Sequence, residues 1–172
     1  MLLLFDPSSN TFTSGPNVGS AGQYKFVGGV LLPDGRVVFV PENAATTVGL
    51  FDPSTNTFTS GPTAGSGQNK FAGGVLLPDG RVVFVPFSSA TVGLFDPNTN
   101  TFTSGPTAGS GQSKFYGGVM LPDGRVVFVP YCSTTVGFFD SRTSATRKPA
   151  YTLSQALPPS WNVALLPYYN KY

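Results

Sequence analysis

The chain has 172 residues, 40% of them hydrophobic and only 10% charged, which allows one domain with a sizeable core and excludes a disordered polyelectrolyte. Ten basic and eight acidic residues are spread evenly and leave a net charge of +2, so neither a nucleic-acid footprint nor a polybasic membrane site is expected. There is no histidine and a single cysteine, Cys132, which removes the commonest general base, the commonest metal ligand and any intrachain disulfide framework.

Glycine (21) and proline (16) are frequent enough to demand many turns, while abundant Val, Phe and Thr favour strands. No apolar run is long enough to span a membrane, and residues 1–6 are too short for a signal peptide, so the compartment stays unknown.

In chain order, residues 3–13 hold two short strand signals around Asp6-Pro7. They are the last two of a set of four, lettered A to D, that then recurs. Residues 4–49 form the first copy of a repeat, with two extra residues near Ala21 and Ala45. Residues 50–93 and 94–137 are two further copies, which align without a gap and differ only at 54/98, 69/113, 72/116, 76/120, 87/131, 88/132 and 90/134. The period is therefore about 44 residues. In one copy, A is expected at 71–77, B at 81–85, C at 91–95 and D at 101–103. Pro78-Asp79-Gly80-Arg81 between A and B is a hairpin signal, because glycine tolerates positive φ. Asp96-Pro97-Asn98-Thr99-Asn100 turns C into D, with proline presetting φ and the polar side chains capping the turn. All three connections are short, so each copy reads as an antiparallel meander. The linker at 104–112, rich in Gly, Ser and Pro, leads to the next copy.

Four short strands every 44 or so residues match one blade of a β-propeller. From residue 138 onward the pattern decays. Residues 150–154 resemble a degenerate D, 161–167 imitate A, and 168–172 a short B. With that tail, the fold class is an all-β propeller of roughly four blades, closed by pairing of the termini, or else a partial propeller that associates through open blade edges.

Leu77-Pro78-Asp79-Gly80-Arg81-Val82 and the stretch Leu94-Phe95-Asp96-Pro97-Asn98-Thr99-Asn100-Thr101-Phe102 resemble the kelch-type repeats of bacterial propellers and of the galactose-oxidase central domain. The resemblance covers about residues 3–140. It departs in two places: the diglycine (Gly73-Gly74) lies in strand A rather than after strand B, and phenylalanine (Phe12, Phe58, Phe102) replaces the family's strand-D tryptophan. The resemblance implies that strand A is innermost. The copper chemistry of galactose oxidase uses histidine ligands, so it maps onto no position here, and no cofactor or metal is expected.

Strand order places the A–B and C–D turns on one side and the B–C and D–A connections on the other. The second side holds the most variable segments: Glu42-Asn43, Phe87-Ser88 and Tyr131-Cys132. As a binding rim, these would offer aromatic and polar contacts to a protein, peptide or glycan. The plainer reading is drift in exposed loops. Lys25, Lys70 and Lys114 recur in Gln-x-Lys-Phe at the entrance to strand A. Three lysines at a channel mouth would attract an anion; the plainer reading is a solvated lysine beside a core phenylalanine. The seven aspartates all sit in turns that explain them, which argues against calcium. Arg142, Arg147 and Lys148 are read as solvated charges. The sequence thus points to a non-catalytic binding or scaffold module. The alternatives are a carbohydrate-active enzyme using paired carboxylates and a structural fragment without a ligand of its own.

Overall fold

The computed structural model describes residues 3–19 and 24–141. The expected strand signals at 150–154, 161–167 and 168–172 lie outside the described residues, as do Gln23, Arg142, Arg147 and Lys148.

The described residues contain thirteen strands and no helix. Strands β1 (Leu3–Asp6) and β2 (Thr11–Ser14) form a hairpin that corresponds to C and D. Strands β3 (Phe26–Leu31), β4 (Val37–Pro41), β5 (Thr47–Asp52) and β6 (Thr57–Thr63) form the first complete blade. The second is β7 (Phe71–Leu76), β8 (Val82–Pro86), β9 (Thr91–Asp96) and β10 (Thr101–Thr107). The third has three strands, β11 (Phe115–Met120), β12 (Val126–Pro130) and β13 (Gly137–Phe139). Every pairing is antiparallel between consecutive strands. The architecture is all-β, with propeller blades whose sheets do not close into a ring among the described residues, which makes it a partial propeller.

Strand D differs from expectation. It runs to Thr63 and Thr107, taking in four residues that read as linker, and in β10 a register shift falls between Ser104 and Thr107. The Gly-Pro within it is tolerated because D is an edge strand.

The turns follow their sequences. In each Asp-Gly hairpin the aspartate accepts from the arginine two residues on, and Arg36–Asp34, Arg81–Asp79 and Arg125–Asp123 each close an ion pair at 2.7 Å. Such exposed pairs contribute about 1 kcal/mol or less. In the C–D turns, Asp6, Asp52 and Asp96 accept backbone N–H bonds from Ser8, Ser54 and Asn98.

Strand A is innermost: β3 packs on β7, and β7 on β11. The diglycine makes this contact. Gly28, Gly73 and Gly117 hold φ of +74°, +96° and +82°, at the register shift of each A strand. A Cβ on Gly28 would lie 3.6 Å from the Gly73 Cα, and one on Gly73 would lie 3.4 Å from the Gly117 Cα. A Cβ at these two points would make ordinary van der Waals contact with the next backbone, so what favours glycine there is the positive φ of the bulge.

The core lies between blades, and each blade has two unlike faces. Val30, Leu32, Val38, Val40 and Val48 of the first blade pack against Phe71, Phe84 and Phe95 of the second. Val75, Leu77, Val83, Val85 and Val92 of the second pack against Phe115, Phe128 and Phe139 of the third. On the phenylalanine face, rings from A, B and D pack around a strand-C glycine; Phe71, Phe84 and Phe102 have centroids 5.6–6.0 Å apart. A Cβ on Gly93 would meet the Phe102 ring at 2.9 Å, so only glycine fits among them.

Two measurements check this account. Gly73→Ala should lower stability by about 1–3 kcal/mol in thermal melts, through its strained φ of +96°. Gly65→Ala, with a similar φ of +87° and open space around it, should cost about as much, since φ and not crowding sets the penalty. Second, Ser8 and Arg36 side chains hold Asp6 and Asp34 below the usual carboxylate range, and the Ser54 hydroxyl does the same for Asp52. The unfolded chain therefore binds more protons in acid. These groups stabilise the fold above the unfolded carboxylate pKa of about 4, and their contribution disappears as pH falls through the folded values. Melting temperature should accordingly drop between about pH 5 and pH 2.

Candidate binding face

The B–C loops and the D–A linkers lie together, opposite the Asp-Gly turns. Their backbones form one continuous hydrogen-bond chain across all three blades. The Glu42 N–H donates to the Lys25 carbonyl (2.9 Å), and the Lys70 N–H donates to the Glu42 carbonyl (3.1 Å). The Phe87 N–H then donates to the Lys70 carbonyl, the Lys114 N–H to the Phe87 carbonyl, and the Tyr131 N–H to the Lys114 carbonyl, at 2.8–3.0 Å. Positions 42, 87 and 131 join this chain through their main chain. These bonds make no demand on the side chain, which accords with the three positions differing among near-identical copies.

The lysines do not form a solvated ring. Lys70 and Lys114 are buried, at 6% and 7% exposure. The Lys70 Nζ donates to the carbonyls of Glu42 and Ala45 in the preceding blade and to Gly67 in its own linker, each at 3.0 Å, with Asn43 O at 3.5 Å. The Lys114 Nζ donates to Ser89 O (2.8 Å) and Gly111 O (2.6 Å). Both ammonium groups turn inward and tie one blade's B–C loop to the next blade's linker, instead of facing a channel mouth. Lys25 is half-buried and makes one such bond, to Val18 O at 3.3 Å. Burial pushes Lys70 and Lys114 below the usual lysine value; for Lys70 the neighbouring Glu42 opposes that shift. Burial in turn raises Glu42, against the pull of Lys70.

The remaining expected residues fall into two groups. Glu42 and Asn43 are half-buried beside Lys70. Phe87, half-buried, and Tyr131, 64% exposed, come together with their ring centroids 5.6 Å apart. Ser88 is half-buried and its Oγ accepts the Ser113 N–H. Cys132 is a free, exposed thiol whose N–H donates to Ser113 O.

Tyr116 completes the aromatic group and was not singled out from the sequence. It lies 53% exposed on β11, with its ring 6.0 Å from Phe87 and 5.9 Å from Tyr131. The available signal was its variability: the same position is Val27 and Ala72 in the other copies. Three rings from two adjacent blades thus form one open aromatic patch. Beside it, between the first and second blades, runs an open groove of about 520 Å³ lined by Gln68, Lys70, Ser88, Ser89, Thr91 and Phe102 among others.

Among the described residues, no group of three or more His, Cys, Asp or Glu is placed to hold a metal ion, and no helix is long and apolar enough to cross a membrane.

No protein-family model matches the chain, and no curated protein matches it. Several solved structures are similar in fold. A virginiamycin B lyase from Staphylococcus aureus is 16% identical with a TM-score of 0.56, over 81% of this chain and 48% of that one. An auxiliary nutrient binding protein from Bacteroides ovatus is 17% identical with a TM-score of 0.58, over 84% of this chain and 39% of that one. The extracellular domain of a one-component system from B. thetaiotaomicron is 11% identical with a TM-score of 0.61, over 82% and 19%. These likenesses show a β-propeller fold, and the chain spans less than half the length of each of these proteins.

The cradle around Lys70 can be tested directly. Lys70→Met should lower stability by about 1–3 kcal/mol in thermal or urea unfolding, because buried carbonyls lose their donor. Lys25→Met, with a single long bond to lose, should change it much less.

Proposed function

We propose that the chain is a non-catalytic binding module of kelch-like ancestry, and that its contact surface is the Phe87/Tyr116/Tyr131 patch with the adjoining groove. The patch carries the proposal. Exposed aromatic rings clustered on one face are the composition that contact surfaces concentrate, since each ring contributes large apolar area at little entropic cost. The partner is a protein, peptide or glycan that presents an apolar surface to the rings and hydrogen-bonds to the groove. The similar solved structures include a nutrient binding protein, which accords with binding on this scaffold.

What supports a non-catalytic reading is the use already made of the carboxylates. Asp6, Asp52 and Asp96 cap turns, and Asp34, Asp79 and Asp123 pair with arginines, all on the side opposite the patch. Glu42 alone stands on the binding side among the described residues, where paired-carboxylate chemistry would need two.

The test is titration of the chain against soluble oligosaccharides and a peptide library, followed by Phe87→Ala, Tyr116→Ala and Tyr131→Ala. Each substitution should weaken whatever binds by tenfold or more, on the order of 1.4 kcal/mol or more, and the pair Phe87→Ala/Tyr131→Ala should abolish it with the melting temperature little changed. Binding that survives the double variant would refute this face.

A further inference from the structure

The two unlike faces of each blade leave unlike surfaces at the two ends of the array. Val30, Val40 and Val48 of the first blade are 7%, 0% and 0% exposed, and their equivalents Val75, Val85 and Val92 of the second are 9%, 0% and 3%. Both sets are covered by the phenylalanine face of the next blade. The same positions in the third blade, Val119, Val129 and Val136, are 59%, 45% and 49% exposed. At the other end the complementary residues are bare. Phe51 and Phe95 are 4% and 0% exposed, whereas their equivalent Phe5 on β1 is 51%, and Phe12 on β2 is 66%. Phe5 and Phe12 touch each other, with centroids 4.9 Å apart. One molecule therefore carries a whole aliphatic face and, on β1–β2, the strand-C and strand-D part of the phenylalanine face that covers such a face inside the array.

We infer that the exposed aliphatic face of β11–β13 docks the phenylalanine face of β1–β2 from a second copy of this chain. The argument is complementarity. The three copies are nearly identical in sequence, so an aliphatic face that accepts the strand-C Phe95 in one place accepts its equivalent Phe5, with Phe12 beside it, from another molecule. The two surfaces differ, so the contact is head-to-tail, and each added copy presents a fresh aliphatic face until a ring closes. The dyad-related alternative, aliphatic face on aliphatic face, forfeits the interlocking of valine against phenylalanine seen in both internal interfaces. This contact is separate from the Phe87/Tyr116/Tyr131 patch, and neither reading depends on the other.

Light scattering of the full chain across a concentration series tests it. The mass should rise with concentration above 18.0 kDa. Val119→Asp/Val129→Asp should return the chain to a monomer, and so should Phe5→Asp/Phe12→Asp; all four side chains are exposed in the single molecule, so folding is spared. Mixed together, the two variants retain one good face each and should form a one-to-one complex of twice 18.0 kDa that grows no further. A monomer at every concentration would overturn the inference. So would association that persists in either double variant, or a mixture that stays monomeric.

Discussion

Everything in this array depends on how closely its inner strands approach one another. A Cβ on Gly74 would meet the Val30 and Val40 side chains of the preceding blade at 3.0 Å, and one on Gly118 would meet the Val75 side chain at 3.2 Å, closer than a Cβ ordinarily sits. A side chain at these points would force the inner edges apart. The blades are wedges of constant composition, so a shift there would propagate to the valine and phenylalanine layers packed further out. At the preceding glycines, Gly28, Gly73 and Gly117, the demand comes from positive φ, since the bulge that turns the strand disfavours a side chain there. The glycine of strand C makes a smaller demand of the same kind, opening the room into which three rings close.

With spacing set at the axis, the upper rim is set by hydrogen bonds. The backbone chain through Lys25, Glu42, Lys70, Phe87, Lys114 and Tyr131 links every blade to the next without involving the side chains at 42, 87 and 131. The lysines add a second tie through their ammonium groups, whose desolvation is offset by several carbonyl acceptors at once. A scaffold held this way separates stability from recognition. Lys70 and Lys114 are committed to holding loops, while positions 42, 87 and 131 join the hydrogen-bond chain through their main chain. That division is why drift and function are hard to tell apart in the sequence, since both act on the same few positions.

Much of the architecture is legible in the residues. The hairpin turns announce themselves through Asp-Gly and Asp-Pro, and the repeat places four strands in each copy before any coordinate is known. Three things are not legible, each for a physical reason. Strand D runs four residues past its strand signal because an edge strand tolerates Gly61-Pro62, where a central strand would not. Lys70 reads as a surface residue because lysine nearly always is one; its burial follows from carbonyls of Glu42 and Ala45, 28 and 25 positions away, which no local pattern reveals. Tyr116 goes unnoticed because its partners are in another blade and another strand, so only the packing of β11 beside the Phe87 loop brings three variable positions onto one patch. The diglycine, read at first as a departure from kelch-type repeats, turns out to be the residue pair on which blade spacing rests.

Near-identity of the copies has a further consequence. A single core can be specified by residues unlike one another, so that each fits one place. Here each interface is made of the same valines and the same phenylalanines, and specificity resides in order along the chain alone. Covalent continuity keeps the first blade beside the second, because a neighbour on the short linker 64–70 is present at an effective concentration of roughly millimolar or above. At the end of the array that advantage stops. Val119, Val129 and Val136 retain the full chemistry of an internal face without a tethered phenylalanine layer among the described residues, and Phe5 and Phe12 retain the strand-C and strand-D part of its complement. The property that lets one sequence unit build the whole array, a face that fits any copy of its complement, is the same property that leaves its two ends matched to each other.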